Sequence, residues 1–123
     1  MIFRIVFALI VFSAASMPAT ADEASMDFSW QGMETCKRVA MSPRITISHY
    51  PTGTRRVLLT LAQGERENGG QEVDLPSSGV LDAGAITTLG ICNAGTYTWT
   101  AIFKAADGAV LGKVKVNKYF PGK

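Results

Sequence analysis

Near the C-terminus, apolar and polar residues alternate along two long runs that are separated by a short polar connection. The apolar positions of the two runs are Tyr97, Trp99, Ala101, Phe103, Val110, Val114 and Val116. Alternation with a period of two is typical of β-strands that bury one face and expose the other. The connection Ala105-Ala106-Asp107-Gly108 contains the Asp-Gly pair that favours a hairpin turn. Residues 96–120 therefore predict a β-hairpin whose apolar face packs on a second layer of structure.

Upstream of the hairpin, the N-terminal part of the domain shows weaker patterns. Residues 22–26 are polar and small, and they predict a frayed segment. A first strand is predicted over residues 27–31, where Phe28 and Trp30 share one face. Residues 32–43 have no clean period, so they predict a long connection.

Two stronger strands follow that connection. Residues 44–50 alternate again, and they predict a strand with Ile45, Ile47 and His49 on its inner side. The uninterrupted apolar run at residues 56–61 is typical of a central strand covered on both faces.

The segments between these strands and the hairpin are polar or weakly apolar. Residues 63–71 are rich in glycine, so they predict an exposed, mobile loop that reverses direction at Asn68-Gly69-Gly70. Weak strands are predicted at residues 72–75, 80–81 and 85–88. Beyond the N-terminal leader, no apolar run has a helical period, and Gly or Pro interrupts the runs. The predicted fold class is an all-β, antiparallel β-sandwich.

The N-terminus has the features of a secretory signal peptide. Arg4 precedes an apolar run at residues 5–12, and small residues follow as far as Ala19-Thr20-Ala21. Because signal peptidase prefers small residues there, we expect residues 1–21 to be removed and residues 22–123 to form a single domain. The apolar run is too short for a permanent membrane span, although an uncleaved anchor is the alternative. The expected location is periplasmic or secreted.

Cys36 and Cys92 are the two cysteines of the chain. In an oxidising compartment, an even number of cysteines predicts a disulfide. The Cys36–Cys92 bond would tie the connection at residues 32–43 to the start of the C-terminal hairpin.

The charge of the chain bears on its partners. A net charge of +2 is too small for the basic surface of a typical nucleic-acid-binding domain. The polar side of the last predicted strand carries Lys113, Lys115, Lys118 and Lys123. At a sheet edge such lysines prevent aggregation, which is the favoured interpretation. Gathered on one surface, they would attract an acidic partner or lipid head groups.

A Ser-Pro pair, a strand, a Pro-x-Gly-Thr turn and an apolar strand follow one another in this chain. The pair is Ser42-Pro43 and the turn is Pro51-Thr52-Gly53-Thr54. This order resembles the phosphatidylethanolamine-binding protein-like family. Gly95-Thr96-Tyr97, followed by a strand over residues 99–105, is similar to the last long strand of that family's ligand site. The resemblance covers most of residues 28–105 and implies a β-sandwich with a small anion pocket at one end.

The family's ligand-binding motifs are replaced in this sequence. Gln63-Gly64-Glu65 stands where family members have Asp-Pro-Asp, and Thr96-Tyr97 stands where they have His-Arg. Binding of a phosphate head group requires charge-assisted hydrogen bonds, which these residues do not offer. The resemblance therefore implies the fold and the place of a site rather than phospholipid binding.

No arrangement of residues predicts an enzyme or a bound cofactor. The sequence has no Gly-x-Ser-x-Gly motif, and His49 is its only histidine, which leaves neither a catalytic triad nor a histidine pair for zinc. We expect His49 to be a structural residue. The paired carboxylates Glu65 with Glu67 and Glu72 with Asp74 are interpreted as solvated charges.

Methionine and histidine offer one metal alternative. Met26, Met33 and Met41 together with His49 have the soft ligands that suit cuprous ion. Filling gaps in the core is the commoner role of methionine, so a copper-binding protein is the weaker hypothesis.

The predicted function is binding without catalysis. The candidate binding residues lie in the predicted loop and at the start of the hairpin, and they are Gln63, Glu65, Arg66, Thr96 and Tyr97. We expect them to bind a small molecule or a protein partner. The alternative is an inhibitor, in which the same loop inserts into the cleft of a protease or another hydrolase.

Overall fold

The computed structural model describes residues 23–31 and 33–122. Within these residues the chain forms nine β-strands and no helix. They are β1 (Ser25–Phe28), β2 (Val39–Met41), β3 (Ile45–Ser48), β4 (Arg56–Gln63), β5 (Arg66–Asp74), β6 (Val80–Leu81), β7 (Thr87–Leu89), β8 (Gly95–Lys104) and β9 (Val110–Phe120). The all-β prediction is confirmed. The same residues contain no helix that is long and apolar enough to cross a membrane. The predicted signal peptide lies outside the described residues.

The predicted C-terminal hairpin is confirmed as β8 and β9. These strands pair antiparallel from Gly95 opposite Phe120 to Lys104 opposite Val110. The turn is closed by Gly108, whose amide donates to the Ala105 carbonyl oxygen at 2.9 Å and whose φ is 90°. That backbone conformation is accessible to glycine at little cost, which explains the Asp-Gly signal.

The hairpin belongs to a four-stranded antiparallel sheet with the order β5-β4-β8-β9. Val57, Leu59 and Leu61 of β4 are fully buried on its inner face. Leu58 and Thr60, on the outer face, are only half-buried. Strand β4 is therefore central in the sheet, as predicted, but the expectation that both of its faces are covered is wrong for the outer one.

The polar segment predicted as a mobile loop at residues 63–71 is instead a second hairpin. The chain reverses at Gly64-Glu65, between β4 and β5, and Gly64 has a φ of 58°. Asn68-Gly69-Gly70 lies within β5, where the register with β4 shifts opposite Leu61. Gly69, with a φ of 90°, takes up this β-bulge. The glycines that suggested a reversal are thus used for a bulge, and that prediction is wrong.

The remaining strands form two smaller sheets. A three-stranded sheet has the order β1-β3-β6, and β2 pairs with β7 in a two-stranded sheet. Strand β1 begins at Ser25 and Met26 is buried, so the last two residues of the segment predicted to fray belong to a strand, whereas Trp30 lies beyond the end of β1. Strand β2 lies inside the predicted connection, where its three residues were too few to show a period.

The inner faces of the two larger sheets share one hydrophobic core. Its largest fully buried side chains are Trp99, Phe103, Ile45, Ile47, Leu59, Leu61, Ile86, Ile91 and Val57. Phe28 of β1 meets Trp99 of β8 edge to face, with ring centroids 6.3 Å apart. Such aromatic contacts add to the free energy gained by removing apolar area from water.

His49 and Val110 break the predicted alternation. His49 was expected beside Ile45 and Ile47 on the inner side, but it is exposed, because β3 ends at Ser48 and His49 has a φ of 56°. This left-handed conformation turns the chain toward Pro51. Val110 is 65% exposed because the register of β8 with β9 shifts next to Phe103.

The predicted disulfide is present. Cys36 and Cys92 are bonded across 56 residues of sequence, with their Cα atoms 4.4 Å apart. Both cysteines are exposed. The Cys36 amide donates to the Ile91 carbonyl oxygen at 2.8 Å, so the two segments also share a backbone hydrogen bond. The bond ties the segment before β2 to the segment before β8.

Replacing both cysteines, as Cys36→Ser with Cys92→Ser, is expected to lower the free energy of unfolding by about 4 kcal/mol, because a long loop is no longer closed in the denatured chain. Urea denaturation with and without a reductant measures the loss. The double variant itself should not respond to reductant. Equal midpoints for the oxidised and reduced native protein would contradict the prediction.

Candidate functional site

A large cleft lies between the edges of the two main sheets. Its volume is about 580 Å³. The residues that line it are Glu23, Ala24, His49, Tyr50, Pro51, Thr52, Phe103, Gly112, Lys113, Val114 and Lys115. They come from the residues just before β1, the turn between β3 and β4, the end of β8 and the first half of β9. We refer to this site as the β1–β9 cleft.

The strand topology places this cleft. Strand β1 is an edge of the three-stranded sheet and β9 is an edge of the four-stranded sheet. The turn after β3 lies close to β9 at Gly112, where a Cβ atom would be 3.1 Å from Cγ of Pro51. A larger residue at Gly112 would therefore push this turn away from β9. The two edges and the turn form three sides of the cleft.

At the end of β1 away from the cleft, a single lysine joins the edges of β1 and β9. Nζ of Lys118 donates a hydrogen bond to Oδ1 of Asp27 at 2.7 Å and a second one to the carbonyl oxygen of Phe28. The ammonium also lies 4.9 Å from the centroid of the Phe28 ring, within range of a cation–π interaction. These contacts, which we call the Lys118 bridge, join β9 to β1.

Trp30 reinforces this closed end. Its Nε1 donates to the Tyr119 carbonyl oxygen at 3.0 Å, and its ring packs edge to face on Phe28 with centroids 5.0 Å apart. The edges of β1 and β9 are therefore joined near Phe28 and separated near Ala24, where the cleft opens.

The positions of the lysines correct part of the sequence interpretation. Strand β9 is an edge strand, as the edge-protection interpretation requires, and Lys113 and Lys115 are exposed on it. Lys118 was predicted on the same polar face, but it has the parity of Val114 and Val116 and is half-buried against β1. Lys123 lies outside the described residues.

The Lys118 bridge changes the acidity of its partner. The hydrogen bond from Lys118 and the positive charge of its ammonium hold the pKa of Asp27 below the ordinary value of 3.8. On the outer face of the four-stranded sheet, a hydrogen bond from Lys104 lowers the pKa of Glu72 in the same way. Both carboxylates are thereby kept ionised.

The β1–β9 cleft combines an apolar floor with a mainly cationic rim. Phe103, which is fully buried, and the half-buried Val114 belong to the floor. Lys113 and Lys115 stand on the β9 side of the rim, and Glu23 is an acidic residue at its other side. This arrangement suits a partner that has a negative charge next to an apolar part.

The five predicted binding residues lie around the turn between β4 and β5. Gln63 pairs with Arg66 at the end of this hairpin, and Glu65 is exposed in the turn. The side-chain amide of Gln63 lies against Gly95, so this turn adjoins the start of β8.

The two predicted binding residues of β8 differ in exposure. Thr96 is exposed, whereas the ring of Tyr97 is buried and its hydroxyl donates to the Asn93 carbonyl oxygen at 3.0 Å. The predicted set therefore presents polar groups of four residues around one turn, while Tyr97 belongs to the core.

The four residues of the copper hypothesis occupy different surroundings. Met26 is buried in the core. Met33 and Met41 line a second cleft of about 290 Å³, together with Glu34, while His49 lines the β1–β9 cleft. In the part of the chain that the structure describes, no group of three His, Cys, Asp or Glu side chains is arranged to hold a metal ion.

Comparison with known proteins adds no assignment to this geometry. No protein-family model matches the chain, and no curated protein matches it.

The β1–β9 cleft was not predicted as a site from the sequence. Its members are distant in sequence, and His49 had been placed inside the fold. The one signal that could have indicated it is the alternation of lysine and valine in the last strand, which at a sheet edge places cations on one face and apolar side chains on the other.

Replacing Lys118 with methionine keeps an apolar side chain of similar length but removes the ammonium. We expect the pKa of Asp27 to rise toward its ordinary value in Lys118→Met, as measured by an NMR titration of the side-chain carboxyl. Glu72, which is bonded to Lys104, is the internal control and should keep its lowered pKa. An unchanged Asp27 titration would contradict the bridge.

The same pair makes stability depend on pH. Since the pKa of Asp27 is lower in the folded chain than in the unfolded chain, its contribution is fully present above the unfolded value. It is lost as the pH falls through the lowered folded value. The difference in stability between the native protein and Lys118→Met should therefore shrink under acid conditions, as measured by denaturation at several pH values.

Proposed function

We propose that this protein is an exported, non-catalytic binding module that holds an anionic partner in the β1–β9 cleft. The observation that carries the proposal is the cleft itself, in which Lys113 and Lys115 line the β9 edge beside a floor that includes Phe103 and Val114. The partner is a small molecule or a protein segment that carries both a negative charge and an apolar part.

The physical chemistry of the cleft favours such a partner. A volume of about 580 Å³ is within the usual range of ligand sites. Burial of apolar area on the floor would contribute roughly 25 cal/mol per Å² removed from water. The two exposed lysines would attract an anion from solution and orient it, with an effect that weakens as salt concentration rises.

Two features support export. The N-terminal sequence has the pattern of a signal peptide, and the chain contains a disulfide, which persists in oxidising compartments. Both features support a periplasmic or secreted location.

The proposal includes a sandwich of the phosphatidylethanolamine-binding protein-like type. Its support is the turn that carries the resemblance. Thr54 Oγ1 donates to the Pro51 carbonyl oxygen at 2.7 Å, which closes the Pro-x-Gly-Thr turn between β3 and β4. Pro51 and Thr52 of this turn line the β1–β9 cleft.

Inhibition of a hydrolase remains a second prediction, and one observation favours it. The segment around Glu65 and Arg66 is a tight hairpin turn between two long strands rather than a mobile loop, so its insertion into an enzyme cleft would cost little conformational entropy. Co-purification of a stable enzyme partner that is lost in Glu65→Ala with Arg66→Ala would support inhibition.

Decanoate tests the main proposal, because it joins one carboxylate to an apolar chain. The double variant Lys113→Glu with Lys115→Glu should bind decanoate about tenfold or more weakly, as measured by isothermal titration calorimetry. The matched control is Lys37→Glu with Arg38→Glu, which makes the same change of charge at exposed residues near the disulfide. Equal loss in both variants, or equally tight binding of uncharged decanol, would contradict the proposal.

A further inference from the structure

Among the described residues, no strand is hydrogen-bonded to one backbone edge of β9. Among the described residues β9 pairs with β8 alone, over a strand of 11 residues. The edge of a sheet presents unpaired N–H and C=O groups, to which an extended chain can add by hydrogen bonding. Near Tyr119 and Lys118 this edge is covered by Trp30 and by the Lys118 bridge. The uncovered part therefore runs over residues 111–117.

The contact with Trp30 also shows which residues direct their backbone groups outward. The Tyr119 carbonyl oxygen accepts from Trp30 on the side away from β8. Because these groups alternate in direction along a strand, Lys113, Lys115 and Asn117 also direct their N–H and C=O groups outward. The same two residues, Lys113 and Lys115, thus offer both a free backbone and an ammonium group.

The two faces of an added strand would meet different surroundings. Residues directly opposite Lys113 and Lys115 would have their side chains on the outer face, next to the two ammonium groups. The residues between them would direct their side chains inward, toward Phe103 and Val114 on the floor of the β1–β9 cleft. Carboxylates suit the first set of positions and apolar side chains suit the second.

We propose that the partner of this protein is an extended polypeptide segment with alternating acidic and apolar residues, which adds to the four-stranded sheet as an antiparallel strand along β9. This inference rests on the proposed function and names its partner. Antiparallel addition continues the pairing found throughout the described sheets. The uncovered edge accommodates about seven residues.

A second copy of the chain does not match this edge. Pairing β9 with itself would place lysines beside lysines, which is unfavourable. The acidic edge strand β5 is already engaged, because Glu72 lies 2.8 Å from Nζ of Lys104 and Asp74 lies 3.6 Å from Nε of Arg56. Strand β7 also lies beside β5, where its Thr87 amide donates to the side chain of Gln71 at 2.7 Å.

A labelled heptapeptide of alternating glutamate and valine, with glutamate at both ends, is the direct probe. We expect it to bind about tenfold or more tightly than a peptide of the same composition whose glutamates are grouped together, as measured by fluorescence anisotropy. The Lys113→Glu with Lys115→Glu variant should lose the binding, while the Lys37→Glu with Arg38→Glu control should retain it. NMR shifts should be confined to amides of β9 and the cleft.

Methylation of the peptide backbone tests strand pairing separately from charge. In antiparallel pairing the N–H groups of the glutamates opposite the lysines bond to β9, whereas those of the valines point away. N-methylation of the central glutamates should abolish binding, and N-methylation of the valines should leave it within a few-fold. Parallel pairing would reverse this pattern and overturn the proposed direction.

Two variants at position 115 test backbone hydrogen bonding from the side of the protein. Lys115→Gln removes the charge and keeps the backbone amide, whereas Lys115→Pro removes both. Proline is accepted on edge strands where the N–H faces solvent. Weaker binding by Lys115→Pro than by Lys115→Gln, with circular dichroism showing both folded, supports a hydrogen bond from this amide. Should Lys115→Pro fail to fold, the methylated peptides decide the question.

The remaining outcomes separate this inference from the proposed function. Binding of decanoate without any preference for the alternating peptide would overturn strand addition and leave the proposed function standing. Binding of neither probe would overturn both. A dimer seen by analytical ultracentrifugation that dissociates in Lys113→Glu with Lys115→Glu would identify a second copy as the occupant and would also overturn the inference.

Discussion

Burial of one face of β8 is the interaction on which the rest of the structure depends. Tyr97, Trp99, Ala101 and Phe103 are each at most 2% exposed, and β8 pairs with β4 on one side and with β9 on the other. Both neighbours take their register from this strand, and the opposite layer supplies the residues that cover it. Because successive side chains alternate, the burial of one face leaves the residues on the other face of this sheet facing water. The ion pairs of Glu72 with Arg56 and with Lys104 lie on that outer face.

Along the side where β1 faces β9, the two layers are in contact at one end and separated at the other. At one end the Lys118 bridge and Trp30 hold the edges together, and at the other end the turn at Pro51 approaches β9 without covering it. The open end therefore reaches the core at Phe103, which lines the cleft although it is fully buried. A binding site at this place needs no special loop, because it results from an incomplete closure of the sandwich.

Much of the fold was predictable because its signals are local. Three features could each be read without knowledge of the rest of the fold. They are the alternation along β8 and β9, the Asp-Gly turn at Gly108 and the pair of cysteines. The second hairpin was not predictable in the same way. A glycine at a left-handed backbone position is the signal of a turn. Here Gly64 lies in the turn, whereas Gly69 lies in a β-bulge, and only the pairing with β4 distinguishes the two. Strand β2 was missed because three residues do not define a period.

The candidate site was less predictable than the fold. His49 continues the pattern of β3 in sequence, but a positive φ directs its side chain to the surface. Histidine as a residue type gives little indication of a positive φ. The inward position of Lys118 follows strictly from the parity of β9, so this error was avoidable. The cleft itself depends on two strands separated by most of the domain, and no local pattern relates them.

Trp99 and Trp30, the two tryptophans of the chain, occupy contrasting environments. Trp99 is fully buried, and within the described residues its Nε1 has no hydrogen-bond partner, whereas Trp30 is half-buried and bonded to a carbonyl oxygen. An indole in a dry, apolar environment emits at shorter wavelengths than one near water. Intrinsic fluorescence therefore contains two optical reporters, one for the centre of the protein and one for the junction between its layers. Loosening of that junction would change the Trp30 emission before the blue-shifted component from Trp99 disappears.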